Sequence, residues 1–184
     1  MIKFYNTKTR KKEEFKPISK DSIGLYTCGP TVYDFAHIGN FRAYVFEDLL
    51  RRFLELSGFS VNHIMNITDI DDKTIRRSIE EKMTLNDFTD IYVKSFHEDV
   101  KTLNLLPAHK YPRATEFIPQ MIDMIKKLNI KGFAYTTSDS SVFFKISEFK
   151  DYGALANLNP DQLRSGDRVE NDEYGKEEGR DFAL

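Results

Sequence analysis

The chain has 184 residues, enough for one sizeable domain and short for two. Lys and Arg total 27 against 29 Asp and Glu, a net charge of −2, so there is no global basic field and any contact with nucleic acid must rest on a local patch. A hydrophobic content of 40%, with 15 Phe and 9 Tyr, supplies a core and excludes disorder as the main state. No apolar run approaches the ~18 residues of a membrane span; polar residues follow Met1-Ile2-Lys3 where a secretory signal would be apolar, and Cys28, the single cysteine, has no intrachain disulfide partner. The expectation is a cytoplasmic globular protein with no membrane partner.

Two apolar islands, Ile2 to Tyr5 and Phe15 to Ile18, flank Asn6-Thr7 and a basic run from Lys8 to Lys12, which predicts an edge hairpin with a solvated turn. Ile23 to Cys28 is short, apolar and β-prone and stops at Gly29-Pro30, so it reads as a buried strand. From Ile38 to Leu56 apolar residues recur at helical spacing over a wide face, with Ser57-Gly58 as the stop. Phe59 to Ile67 returns to a β-prone run. Strand, helix, strand in that order is a βαβ unit. Asp71 to Met83 and Leu85 to Leu103 read as helices whose Phe and Tyr residues belong to the core. Pro112 to Glu116 starts another helix, with Met121, Ile122, Ile125 and Leu128 inward. Ala134 to Thr137 and Ser141 to Ile146 form a hairpin through Ser138-Asp139-Ser140. Arg164 to Asp181 carries four basic and seven acidic residues and reads as a loop, and Phe182-Ala183-Leu184 as the start of a strand. The fold class expected is α/β. It is the first half of a Rossmann-like, nucleotide-binding parallel sheet with a helix-plus-hairpin insertion, cut short because such a sheet needs five or six strands.

After the first strand the chain reads Cys28-Gly29-Pro30-Thr31-Val32-Tyr33-Asp34-Phe35-Ala36-His37-Ile38-Gly39-Asn40. His37 and Asn40 are three apart at a helix start and can present polar groups from one face of its first turn. Free N–H groups and the helix dipole there favour a phosphate. Gly39, without a side chain, leaves room for a flat base. An imidazole and an amide so placed can donate hydrogen bonds to phosphate oxygens as charge shifts. A capping or core role for His37 is the bland alternative, and the strand-to-helix context argues for a site.

The run from Tyr26 to Asp34 followed by His37-Ile38-Gly39-Asn40 resembles the N-terminal catalytic segment of class I cysteinyl-tRNA synthetases. Asn66-Ile67-Thr68-Asp69-Ile70-Asp71-Asp72-Lys73 resembles the second hallmark of that family. Pro112-Arg113-Ala114-Thr115-Glu116, Gly132-Phe133-Ala134-Tyr135 and Phe4-Tyr5-Asn6-Thr7 fit as well. One departure is visible: Asn40 stands where the His-Ile-Gly-His motif has its last histidine, and an amide carries no charge.

The resemblance implies ATP-dependent activation of cysteine to cysteinyl-adenylate and transfer to tRNA(Cys). It implies ATP, brought with Mg2+, held at Gly29, Pro30, Thr31, His37, Gly39 and Asn40, with His37 and Asn40 catalytic. It implies an amino-acid pocket at Cys28, Gly29 and Thr68, and one Zn2+ per full-length subunit on Cys28, with the other ligands beyond residue 184. It divides the chain into residues 1–110, the first half of the catalytic domain, and 111–184, the start of a connective insertion. The second sheet half and the anticodon-binding domain would lie outside, and the isolated 184-residue chain, acting as a monomer, would not form adenylate at a useful rate.

Read bottom-up, the carboxylates suit simpler work. Thr68 or Asp69 can cap the next helix, and Arg113 fits a helix-start salt bridge better than a tRNA contact. His63, His97 and His109 lack ligand-like spacing and are read as structural or surface residues. Two rivals share the first strand and His-x-Gly pattern: a ligase joining cysteine to an amino-sugar, and a small nucleotidyltransferase with no need of Cys28.

Overall fold

The computed structural model describes residues 2–19, 22–156 and 181–184. The chain forms two compact units, one of residues 17–118 and one of 1–16 with 119–184.

The first unit is built on the expected βαβ. Strands β3 (Ile23–Thr27) and β4 (Val61–Met65) pair in parallel with Ile23 opposite Val61 and Thr27 opposite Met65. The crossover is α1 (Ile38–Leu56), with the predicted bounds. Two further helices follow, α2 (Asp72–Glu80) and α3 (Leu85–Thr102). Sequence reading missed a third extended segment at 109–114. It runs parallel to β4 on the side away from β3, through bonds from Met65 N to the Lys110 carbonyl (3.1 Å) and from Ile67 N to that of Pro112 (2.9 Å). Pro112 has no N–H, so the ladder is broken and this segment does not look like a strand in sequence.

The core lies between α1, α3 and the end of β4, where Phe41, Tyr44, Met65, Phe96, Val100 and Ala108 cluster. Phe96 meets Tyr44 edge-to-face at 5.4 Å, the arrangement that aromatic quadrupoles favour. The helix aromatics are not all core, contrary to the expectation from sequence: Phe46 and Phe53 on α1 are exposed, with Leu49 and Leu56, because the sheet and α3 cover one side of a helix that is apolar well beyond that side.

The second unit opens with the hairpin of β1 (Lys3–Asn6) and β2 (Lys11–Glu14). The partner of the first island is therefore the charged run, and not Phe15 to Ile18. In a two-stranded ribbon with no buried face, opposed pairs such as Lys3 and Glu14 suit water, and Phe15 instead packs edge-on against Phe4 at 5.3 Å. Helix α4 (Ile118–Ile130) follows a 3-10 turn at Ala114–Phe117. Met121 and Ile122, expected inward, are exposed, whereas Ile125 and Leu128 are half-buried. The hairpin of β5 (Ala134–Thr136) and β6 (Val142–Phe144) is as expected, and β7 (Phe182–Ala183) joins it antiparallel to β6. Residues 164–180 of the expected charged loop lie outside the described residues. Asp181, its last member, is buried and accepts bonds from Tyr135 Oη and Ile146 N, both at 2.9 Å.

Candidate active site

The segment between β3 and α1 is fixed before any ligand arrives. A Cβ on Gly29 would lie 1.9 Å from the Asn66 carbonyl oxygen, so only glycine lets the chain cross the end of β4 this closely. Beyond it Thr68 N donates to the Pro30 carbonyl and Val32 N to that of Thr68, both at 3.0 Å, continuing the parallel pairing through Thr31 and Thr68. Val32, 1% exposed, anchors the loop beneath. On the outer side Arg77 from α2 holds the Tyr33 carbonyl and the Asp34 carboxylate, each at 2.8 Å. The Arg77 bond and the Phe35 N–H keep the Asp34 carboxyl below its ordinary range.

His37 is the N-cap of α1. Its Nδ1 accepts from Gly39 N at 3.0 Å, and its own N–H donates to Asn40 Oδ1 at 3.0 Å, a reciprocal capping box. The capping alternative raised by the sequence is thus realised, and it is compatible with a site. With Nδ1 accepting, the neutral ring carries its proton on Nε2, and Asn40 keeps its amide N–H groups; both donors are left for a ligand. A Cβ on Gly39 would meet the His37 ring at 2.7 Å. Gly39 thus makes room for the imidazole.

These groups surround a cavity of about 370 Å³. Gly29, Pro30, Thr31, His37 and Asn40 line it, together with Tyr33, Asp34, Tyr44, Asp71 and Lys73, whereas Gly39, Cys28 and Thr68 do not. Cys28 is exposed at the end of β3, its Sγ 3.7 Å from the Gly29 carbonyl. It is the chain neighbour of Gly29 in the wall. Burial, with Cys28 and Glu47 adding to it, pushes the Tyr44 phenol up to about 12. Thr68 stands one layer back, paired with Thr31 and accepting from Asn66 Nδ2 at 3.2 Å.

The acidic segment corrects the sequence reading. Neither Thr68 nor Asp69 caps α2; Asp71 does, its Oδ1 accepting from Thr74 N at 2.7 Å. Asp69 points inward and is fully buried. It accepts from Thr115 N (2.9 Å), Thr115 Oγ1 (2.7 Å) and Arg113 Nε (2.8 Å). Burial alone would raise the Asp69 carboxyl, but the Thr115 bonds and the Arg113 guanidinium outweigh it and hold it below the usual range. Arg113 therefore makes the expected salt bridge, and reaches Asp90 at 2.7 Å as well. The histidines are structural: His63 is buried with Nε2 2.9 Å from Thr27 Oγ1, and its N–H donates to His109 Nδ1 at 2.9 Å. Lys73 ends the second run that resembles the family in sequence, and only the fold shows that it reaches the cavity.

A tetrahedral zinc takes four donors. Cys28 offers one thiol, and among the described residues no group of three His, Cys, Asp or Glu is placed to hold an ion. The described residues thus do not make a zinc site by themselves.

Residues 14–184 match the family described as tRNA synthetases class I (C) catalytic domain. The chain belongs to that family. Cysteine–tRNA ligases of Brachyspira hyodysenteriae and Protochlamydia amoebophila are 54% and 51% identical to this synthetase-family chain over its whole length, and each is matched over 39% of its own. The Chlamydia muridarum cysteine–tRNA ligase is 52% identical over 98% of the chain and 38% of its own length. The chain thus spans about two fifths of the length of these curated relatives. A Campylobacter jejuni protein assigned as an arginyl-tRNA synthetase superposes with a TM-score of 0.55 at 12% identity, over 74% of this chain and 40% of the other; it shares the fold. That fold is mixed α/β with a small parallel sheet, and no helix among the described residues is long and apolar enough to cross a membrane.

Proposed function

We propose that this chain carries the ATP-binding part of a cysteine–tRNA ligase, which joins cysteine to tRNA(Cys) through cysteinyl-adenylate. The observation that carries the reading is the cavity at the mouth of β3, where His37, Asn40 and the Gly29–Thr31 turn converge, with Cys28 the residue just before that turn. On this reading residues 1–110 form the first half of a Rossmann-like catalytic domain, and residues 111–184 begin a connective insertion.

Activation is an in-line displacement: a carboxylate oxygen of cysteine attacks the α-phosphorus of ATP, a P–O bond forms, and pyrophosphate leaves. Such a step asks the protein mainly for positioning and for donors aimed at developing charge. His37 Nε2–H and the Asn40 amide supply donors, and the capping box holds both in place before ATP binds. The backbone at Gly29, Pro30 and Thr31 walls the cavity, tied by Thr68 to the end of β4. Mg2+ accompanies ATP as part of the substrate. The amino acid would lie toward Cys28, Gly29 and Thr68. In the second step a hydroxyl of the terminal adenosine of tRNA attacks the carbonyl and AMP departs. The reaction belongs in the cytoplasm, where its partners ATP, cysteine and tRNA(Cys) meet.

Cysteine-dependent exchange between ATP and pyrophosphate by the full-length protein tests the first step, and acylation of tRNA(Cys) tests the second. Exchange with coupling of cysteine to an amino-sugar, and none to tRNA, would replace the acceptor. Exchange that survives Cys28→Ser unchanged would favour a nucleotidyltransferase.

A further inference from the structure

We propose that Lys73 is a further phosphate-binding residue of this cavity, the cation that meets the polyphosphate of ATP. The inference rests on the reading of the cavity as the ATP site and adds a residue from outside the His37-Ile38-Gly39-Asn40 motif.

Lys73 is in the first turn of α2, and its side chain reaches the same cavity that His37 and Asn40 line from α1. Its Nζ lies 5.2 Å from the centroid of the Tyr33 ring, another part of the cavity wall. A ring face orients an ammonium without using its three N–H donors in conventional hydrogen bonds. Among the described residues no carboxylate lies within ion-pair distance of Lys73. The two acids of the wall are already engaged: Asp34 pairs with Arg77 at 2.8 Å, and Asp71 caps α2. Asp71 keeps its charge, but Lys73 is the one Lys or Arg among the described residues that line the cavity.

Two considerations separate this from a solvated surface lysine. A cation in the first turn of a helix opposes the macrodipole, so α2 stability alone would select an acid at this position. The other donors, His37 with Nδ1 accepting and Asn40 with an amide, are neutral, whereas ATP brings several negative charges. A charged donor to phosphate is substantially stronger than a neutral one, and Lys73 supplies it where Asn40 does not.

The experiment is calorimetric titration of the full-length protein with Mg-ATP and with adenosine, for wild type, Lys73→Gln and Lys73→Arg. Losing one charge-assisted contact should weaken Mg-ATP about tenfold or more, leave adenosine within about twofold, and reduce the salt dependence of ATP binding; Lys73→Arg should recover most of the affinity. Unchanged ATP affinity in Lys73→Gln, or equal weakening of ATP and adenosine, overturns the proposal, the latter pointing to support of Tyr33 instead. Wild-type protein that binds no ATP overturns the proposal together with the ATP-site reading, whereas ATP binding indifferent to Lys73 overturns this inference alone.

Discussion

Asp69→Asn isolates the group that ties the end of β4 to the segment after it. Asp69 is fully buried and accepts three hydrogen bonds, two through Oδ2, from Thr115 Oγ1 and Arg113 Nε. An Asn amide can keep the bond from Thr115 N through its oxygen, but then its NH2 faces two donors, and the Arg113 charge loses its buried partner. Breaking a buried ion pair from one side costs about 3–5 kcal/mol. Arg113 is about a quarter exposed and keeps Asp90, so the lower end applies, near 3 kcal/mol. For a chain of this size that lowers Tm by roughly 6–12 °C. Urea unfolding followed by circular dichroism measures the loss, and Asp90→Asn, at the exposed end of the same guanidinium, should cost under about 1 kcal/mol. A loss below about 1 kcal/mol for Asp69→Asn would refute the reasoning. So would strict additivity with Arg113→Met, because two members of one network should couple.

Acidification should destabilise the protein through its histidines. Burial holds His63 and His97 below the usual imidazole range, with Arg51 and His109 adding to the effect at His63. The unfolded chain then binds more protons, so their contribution is complete above about pH 6.5 and falls as the pH drops toward their folded values. The raised Glu47 runs the opposite way at lower pH; a urea midpoint whose pH slope between 7.5 and 5.5 is unchanged by His63→Gln contradicts the assignment. Gly29→Ala puts a methyl group 1.9 Å from the Asn66 carbonyl and should cost at least about 2 kcal/mol by forcing the turn away from β4; a thermal melt matching wild type would show that the turn is free to move. His37→Ala removes a cap and a phosphate donor together, so stability should fall by about 1 kcal/mol and the exchange rate by about 10²–10³. A rate loss no larger than tenfold, measured on protein that is still folded, leaves the ring a capping role alone.

The βαβ unit was legible because its signals are local: a β-prone run, a long helical period and a second run, which correspond to β3, α1 and β4. The opening of the site was legible for the same reason, since His37 and Asn40 lie within one helical turn. What escaped depends on groups distant in sequence. The 109–114 segment has a proline in its ladder and is recognisable only by lying beside β4. Asp69 and Asp71 are two residues apart in one acidic run, and nothing local says that the first turns inward to Thr115 while the second caps α2. Lys73 reaches the cavity because α2 lies beside Tyr33. The periodicity of α1 gave its limits but not its cover, and Phe46 and Leu56 stay exposed.

The central claim is that the cavity opened by the His37 capping box is a polyphosphate site. A crystal structure of the full-length protein with a non-hydrolysable ATP analogue and Mg2+ tests it most directly. The account predicts phosphate oxygens within hydrogen-bond distance of His37 Nε2 and Asn40 Nδ2, with the capping bonds from Gly39 N and His37 N retained. A nucleotide bound elsewhere, or one that enters this cavity with its phosphates pointing away from α1, would contradict it.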